Sequence, residues 1–146
     1  PSFQPSENMR KGYLYEQWVV KQFSSQGFTL LEWRSDKEVN GIYPLSSKKP
    51  DLVFELISNG FKMFYAVECK WRKELSSWFN LVTKNKIQEY KEFSDKMQTP
   101  VFVTIGVGDF PGNPEHIYLV HLNELIETNT ISENVLKKYP WPVSPI

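Results

Sequence analysis

The sequence predicts an α/β fold with elements in the order α-β-β-β-α-β-(β)-α. Three observations carry that expectation. Two runs rich in β-branched and aromatic residues, 49–55 and 64–71, lie on either side of Asn59-Gly60, the strongest short-range hairpin signal. Segments 11–25 and 83–97 carry apolar residues at three- and four-residue steps, the period of a helix. Residues 101–107 form a continuous apolar run of the kind buried on both faces of a sheet.

Taken in order, residues 1–9 are polar and contain prolines, which predicts an extended or frayed lead-in. From Lys11 to Ser25, the residues Leu14, Tyr15, Trp18, Val19 and Phe23 form one broad helical stripe, and Gly27 suits the position just past a helix end. Residues 28–34 predict a first strand, and the polar, aperiodic stretch 35–49 a loop.

The hairpin comes next, and its turn fixes its register. With Asn59 and Gly60 as the two turn residues, Ser58 faces Phe61, Glu55 faces Phe64, Val53 faces Ala66 and Asp51 faces Glu68. Side chains alternate faces with period two, so Lys70 shares the face of Glu68 while Cys69 and Trp71 take the other. Opposed Cβ atoms are roughly 4.5–5.5 Å apart, and like charges so placed destabilise a sheet. The pair Asp51 and Glu68 therefore asks for a cation. Lys70 supplies one charge, and a hard divalent ion would supply the rest.

Residues 74–82 hold Trp78 and Phe79 in a polar setting, which predicts a loop tucking two aromatics into the core in preference to a flap over the site. Thr83 or Asn85 would cap a helix running to Met97, with Ile87, Tyr90, Phe93 and Met97 as its inward stripe. The apolar strand 101–107 is followed by a turn-rich loop over 109–116 and a strand over 117–122. A short helix at 132–138 and a proline-studded tail close the chain.

A length of 146 residues predicts one domain with a full core. Formal net charge is zero, but residues 1–108 carry 15 Lys+Arg against 12 Asp+Glu, while residues 109–146 carry two against five. If Glu16, Asp51 and Glu68 ligate metal, nine acids remain against those 15 bases, which leaves room for a DNA-facing surface. Cys69 is the lone cysteine, which excludes a disulfide framework and predicts a reducing, cytoplasmic setting. One Cys with His116 and His121 does not make a Cys/His zinc site within one chain. No membrane span or signal peptide is visible. A start at Pro1 predicts a processed product or an excised piece, with further domains in a longer parent. The sequence leaves room for a homodimer.

Pro50-Asp51, a gap through a hairpin, and then Glu68-x-Lys70 resembles the signature of the PD-(D/E)xK nuclease superfamily, the restriction-endonuclease-like fold. The resemblance covers roughly residues 10–122 and implies a mixed central sheet flanked by helices, with both tails outside it. It implies that Asp51 and Glu68 ligate one or two Mg²⁺ ions, with Mn²⁺ able to substitute, and that the backbone carbonyl of Cys69 joins them. Lys70 would stabilise charge developing at phosphorus. Arg10-Lys11-Gly12-x-x-x-Glu16 is similar to the basic-Gly…Glu pattern on the first helix of archaeal Holliday-junction resolvases and methylation-dependent restriction enzymes. That likeness adds Glu16 to the metal ligands, with Arg10 and Lys11 as phosphate contacts. Helical phase places Glu16 roughly 20° from Phe23 and 60° from Val19, at the edge of the buried stripe. If the helix packs across the hairpin's acidic face, Glu16 approaches Asp51. Gln88 is similar to the glutamine of the exonuclease-like branch, although Tyr90 follows it by two residues where that branch has four.

The function expected is a Mg²⁺-dependent nuclease acting on phosphodiester bonds of DNA. The rival is a catalytically silent nucleic-acid-binding or assembly module on the same fold; RNA hydrolysis is a third reading. Plainer readings stand beside these. Asp51 could merely start a strand, with Glu68 and Lys70 paired at a solvated surface. Arg10, Lys11, Lys84, Lys86 and Lys91 could be ordinary surface charges, and Trp71 could simply pack. Gly106-x-Gly108 follows a strand but opens no helix, so it is not read as a phosphate loop.

Overall fold

A computed structural model describes residues 7–34, 49–75, 78–80, 82–126 and 130–141. Helix α1 spans Glu7–Ser25, starting earlier than its apolar stripe does, and Gly27 beyond it adopts a φ of +94°. Strand β1 (Thr29–Trp33) leads to β2 (Leu52–Ser58) and β3 (Phe61–Arg72). A short β4 (Trp78–Asn80) precedes α2 (Lys84–Met97), then come β5 (Val101–Val107), β6 (His116–His121), a 3₁₀ turn (Leu122–Leu125), β7 (Thr130–Ser132) and α3 (Glu133–Leu136).

The hairpin forms in the expected register. Asn59 and Gly60 both take positive φ, 52° and 81°, as a two-residue turn between right-twisted strands requires. Pairing runs without a slip from Ser58↔Phe61 to Leu52↔Val67. Among the described residues the register shifts on the other side of β2, between Leu30 and Glu32 of its pairing with β1. Strand β3 pairs parallel with β5, which pairs antiparallel with β6, giving a mixed five-stranded sheet in the order β1-β2-β3-β5-β6.

Each helix covers one face. Tyr15, Val19 and Phe23 of α1 pack on Leu52, Phe54 and Val67. Ile87 and Tyr90 of α2 pack on Val53, Ala66, Val103 and Ile105. Alternation along β2 and β3 sends successive residues to these two cores, as a period of two demands. Helix α2 begins at Thr83, whose hydroxyl accepts from the Lys86 N–H at 3.2 Å, and ends at Gln98 in the left-handed conformation.

Several features depart from the expected order. Strands β4 and β7 form a separate two-stranded sheet that no local pattern announced. The side chains of Trp78 and Phe79, like residues 1–6, 35–48 and 142–146, fall outside the described residues, and so do the flap, lead-in and loop expectations made there. The C-terminal segment is not outside the core. Tyr118 bridges to Pro140, the Trp141 N–H donates to the Ile117 carbonyl at 3.0 Å, and Leu136 and Trp141 are buried. The Trp141 indole lies against Trp18 and Phe23 of α1, so the tail closes the aromatic core that the helix leaves open. No described helix is long and apolar enough to cross a membrane.

Candidate active site

Strand β3 is longer than β2, and the ladder between them stops at Leu52 and Val67. Beyond that point β3 keeps only its β5 neighbour, up to Arg72↔Val107. Asp51 and Glu68 stand where the next pair would be, and their side chains replace the missing ladder bonds. The Asp51 N–H donates to Glu68 Oε1 at 3.1 Å, and the Cys69 N–H donates to Asp51 Oδ2 at 3.0 Å. Each carboxylate thus accepts from the opposite strand's backbone. Both are buried, at 4 % and 2 % exposure. That burial is the point on which the reading of a solvated surface ion pair fails.

Cations and neighbouring backbone hold this corner. Lys70 Nζ lies 3.5 Å from Glu68 Oε2. From the end of β1, the Arg34 N–H donates to the Asp51 carbonyl at 2.7 Å and Arg34 Nη1 donates to the Pro50 carbonyl at 3.1 Å. Pro50-Asp51 is thereby pinned from one side by β1 and from the other by β3.

Tyr90 is the residue that sequence reasoning placed in the core and no further. It is fully buried on α2, and its hydroxyl has no hydrogen-bond partner among the described residues. Burial first, then the negative charges of Glu68 and Asp51, push its pKa far above the ordinary tyrosine value, with a hydrogen-bonding pull from Glu68 adding to them. The Glu68 carboxylate thus acts on the hydroxyl without counting as its hydrogen-bond partner. The missed signal was in the helix phase: Tyr90 follows Ile87 by one turn and so faces the strand that carries Glu68.

Helix α1 does not cross the acidic face, because its apolar stripe is consumed by Leu52, Phe54 and Val67 on the other side. Glu16 is nonetheless buried, at 8 % exposure, where its Oε1 accepts from the Trp33 indole N–H at 2.8 Å. Trp33 is paired with Leu52, the residue after Asp51, so Glu16 sits at the rim of the same corner. Among the described residues no three His, Cys, Asp or Glu gather into a metal-holding group, so Glu16 does not complete a three-carboxylate cluster. Arg10 is exposed, and Lys11 is half-buried beside the end of β3. Gln88 does not join the site: it is exposed on α2 and its Nε2 donates to Glu92 Oε1 at 3.2 Å, along its own helix.

No protein-family model and no curated protein matches the chain in sequence. Among solved structures, the chain is similar to a Holliday junction resolvase of the archaeal hyperthermophile Archaeoglobus fulgidus. The TM-score is 0.63 at 18% identity, covering 88% of this chain and 94% of that one. The fold is restriction-endonuclease-like.

In this restriction-endonuclease-like frame, Asp51 immediately precedes β2 and Glu68 lies within β3 of the central hairpin, with Lys70 two residues on. Their donor set suits a hard cation. Mg²⁺ is ordinarily held by one or two carboxylates with waters and phosphate oxygens completing the shell, so two acids and a backbone carbonyl suffice. A thiol is a poor partner for such an ion, and the Cys69 side chain points to the opposite face, where it packs with the α1 core.

Between the start of α1 and the overhanging end of β3 lies a cleft of about 440 Å³ bounded by Lys11, Gly12 and residues 69–73. A second, larger cavity of about 760 Å³ opens where β5 ends and β6 begins, shares Lys73 with the first, and is lined by both signs of charge, among them Glu74, Glu115, Glu133 and Lys137.

Proposed function

We propose that this chain is a metal-dependent nuclease hydrolysing phosphodiester bonds in DNA. The observation that carries the reading is the buried interlock of Asp51 and Glu68 at the end of a hairpin ladder, with Lys70 beside it. Two buried acids in contact are costly to keep ionised unless cations compensate them. A divalent ion at the pair would make that arrangement productive.

Asp51 and Glu68 would hold Mg²⁺, or Mn²⁺ in its place, together with the backbone carbonyl of Cys69. When bound, the ion would polarise the scissile phosphate and acidify a coordinated water. Lys70 would neutralise negative charge developing at phosphorus. Glu16, anchored by Trp33, would act from the outer sphere by holding a water. Arg10 and Lys11 would meet backbone phosphates and so position the strand without reading its sequence. DNA is favoured over RNA by the likeness to a junction resolvase.

The test is a Mg²⁺-dependent cleavage assay on labelled DNA with Lys70→Ala alongside. Lys70→Ala should slow cutting by about 10²–10³-fold while lowering DNA affinity far less, because its charge acts mainly in the transition state. Wild-type protein that binds DNA but never cuts it, with Mg²⁺ or Mn²⁺ present, would replace this reading with a binding or assembly module.

A further inference from the structure

The cleft beside the overhanging end of β3 has a composition that the two carboxylates do not explain. Lys11, Lys70, Arg72 and Lys73 line it, and no acid is among its described lining residues. Four cations around one concavity repel one another and favour an anion as occupant. Gly12 forms part of the wall, and a Cβ built there would meet nothing within 4 Å, so the wall is open at that point. Trp71 is among the lining residues, half-buried, and one side of it is braced by Tyr15 at a centroid distance of 5.5 Å. Arg72 Nη1 donates to the Trp71 carbonyl at 2.8 Å, which ties the guanidinium to the strand carrying the indole.

We infer that this cleft seats one unpaired nucleotide of the strand being cut, with phosphates on Lys11 and Lys73 and the base against Trp71. Size selects a single strand. A cavity of about 440 Å³ falls in the range of small-ligand sites. Within a duplex each base is stacked and paired, so only an unpaired base can lay its face on Trp71 without first being pulled out of the stack. The combination of a cationic track with an aromatic platform is how single strands are held without sequence preference. Lys70 belongs both to the cleft and to the Glu68 contact, which joins the nucleotide to the acidic corner. The position of the nucleotide beside the cut rests on the nuclease reading; its binding does not. The substrate class that follows is DNA with an unpaired strand at the cut, in preference to a continuous duplex.

The experiment measures anisotropy of a labelled eight-residue oligothymidylate and of a continuous duplex, in EDTA so that nothing is cleaved. Lys73→Ala and Lys11→Ala should each weaken oligothymidylate binding about three- to ten-fold and reduce the salt slope by about 0.7, one single-strand phosphate contact. Trp71→Leu should weaken it about five-fold or more, and Trp71→Phe should recover most of the loss, because stacking needs a ring. Thermal unfolding of both Trp71 variants checks the packing on Tyr15, and the lysine variants stand without it. The inference is overturned if the single strand binds equally well to all four variants, or if single strand and duplex lose affinity in parallel. Inorganic phosphate displacing the oligonucleotide at its own millimolar level from wild type and Trp71→Leu alike would also overturn it, since the cleft would then be an anion site only. Expected binding without Mg²⁺-dependent cleavage would refute the nuclease reading and leave the cleft. Wild-type rates on forked DNA in the lysine variants would do the reverse.

Discussion

Tyr15 and Tyr90 occupy matching places on opposite faces of one sheet, each projecting from a helix into a dry core. Their hydroxyls meet different fates. The Thr104 hydroxyl donates to the Tyr118 carbonyl at 2.9 Å, so the Tyr15 hydroxyl, 2.8 Å away, is the donor to Thr104 Oγ1. Every proton there has a place. The Tyr90 hydroxyl has no hydrogen-bond partner among the described residues and feels the charges of the two acids. An unsatisfied buried hydroxyl costs about 1–3 kcal/mol, a cost that a phenylalanine would avoid. One face is thus closed by complementary packing, whereas the other keeps a polar donor and two carboxylates in reserve. The difference separates a face whose polar groups are all matched from one that holds the proposed site.

The largest expected effect is on the acidic face. Lys70→Ala should slow cleavage by about 10²–10³-fold, the usual loss on removing one transition-state charge partner. Measured binding that falls as steeply as the rate would show that Lys70 acts on the ground state and would blur the division between faces. Next in size is metal. If Asp51 and Glu68 hold a divalent ion, Mg²⁺ at about 100 times its Kd should add about 2.7 kcal/mol of stability. A thermal melt of Asp51→Asn should show no such gain; an equal gain would place the ion elsewhere.

On the α1 face the expected effects are structural. A Cβ on Gly106 would clash with the Tyr15 ring, so the aromatic ring and its helix must shift to admit it. Gly106→Ala should therefore cost about 1–3 kcal/mol in denaturant unfolding. An unchanged midpoint would mean that α1 sits less tightly on the sheet than its contacts indicate.

The smallest effects separate the tyrosines themselves. Tyr15→Phe should destabilise by about 1 kcal/mol through the lost bond to Thr104. Tyr90→Phe should be neutral or slightly stabilising without metal, yet slow cleavage by loosening Glu68. Equal destabilisation in the two would erase the contrast. Both tyrosines have pKa values raised above the unfolded value of 10.0, by burial foremost. The folded state therefore keeps protons that the unfolded chain releases above pH 10. Their contribution is whole below that pH and declines as pH rises through it, so ultraviolet titration should show two phenols ionising only with unfolding.

Much of the acidic corner was legible in the residues. Asn59-Gly60 set the turn, the turn set the register, and the register carried Asp51 to Glu68 with Lys70 on the same face. The structure keeps that register to Leu52 and then lets side chains take over the hydrogen bonding, a substitution that no pattern of hydrophobicity announces. Glu16 shows the opposite case. Its helical phase correctly put it at the edge of a buried stripe, but phase is measured around one helix and says nothing about which sheet face the helix will choose.

What the sequence determined by itself is therefore local in origin: the hairpin, its register, the two helical stripes and the buried strand, all fixed by periods of two and 3.6 residues. Tertiary structure alone decided that α1 takes the Leu52 and Val67 face and α2 the Glu68 face. It also paired β4 with β7, folded Trp141 onto α1 and made Tyr90 a neighbour of the acids. Those choices depend on contacts between segments tens of residues apart, where packing volume and unsatisfied polar groups compete across the whole molecule and no short-range pattern records the outcome.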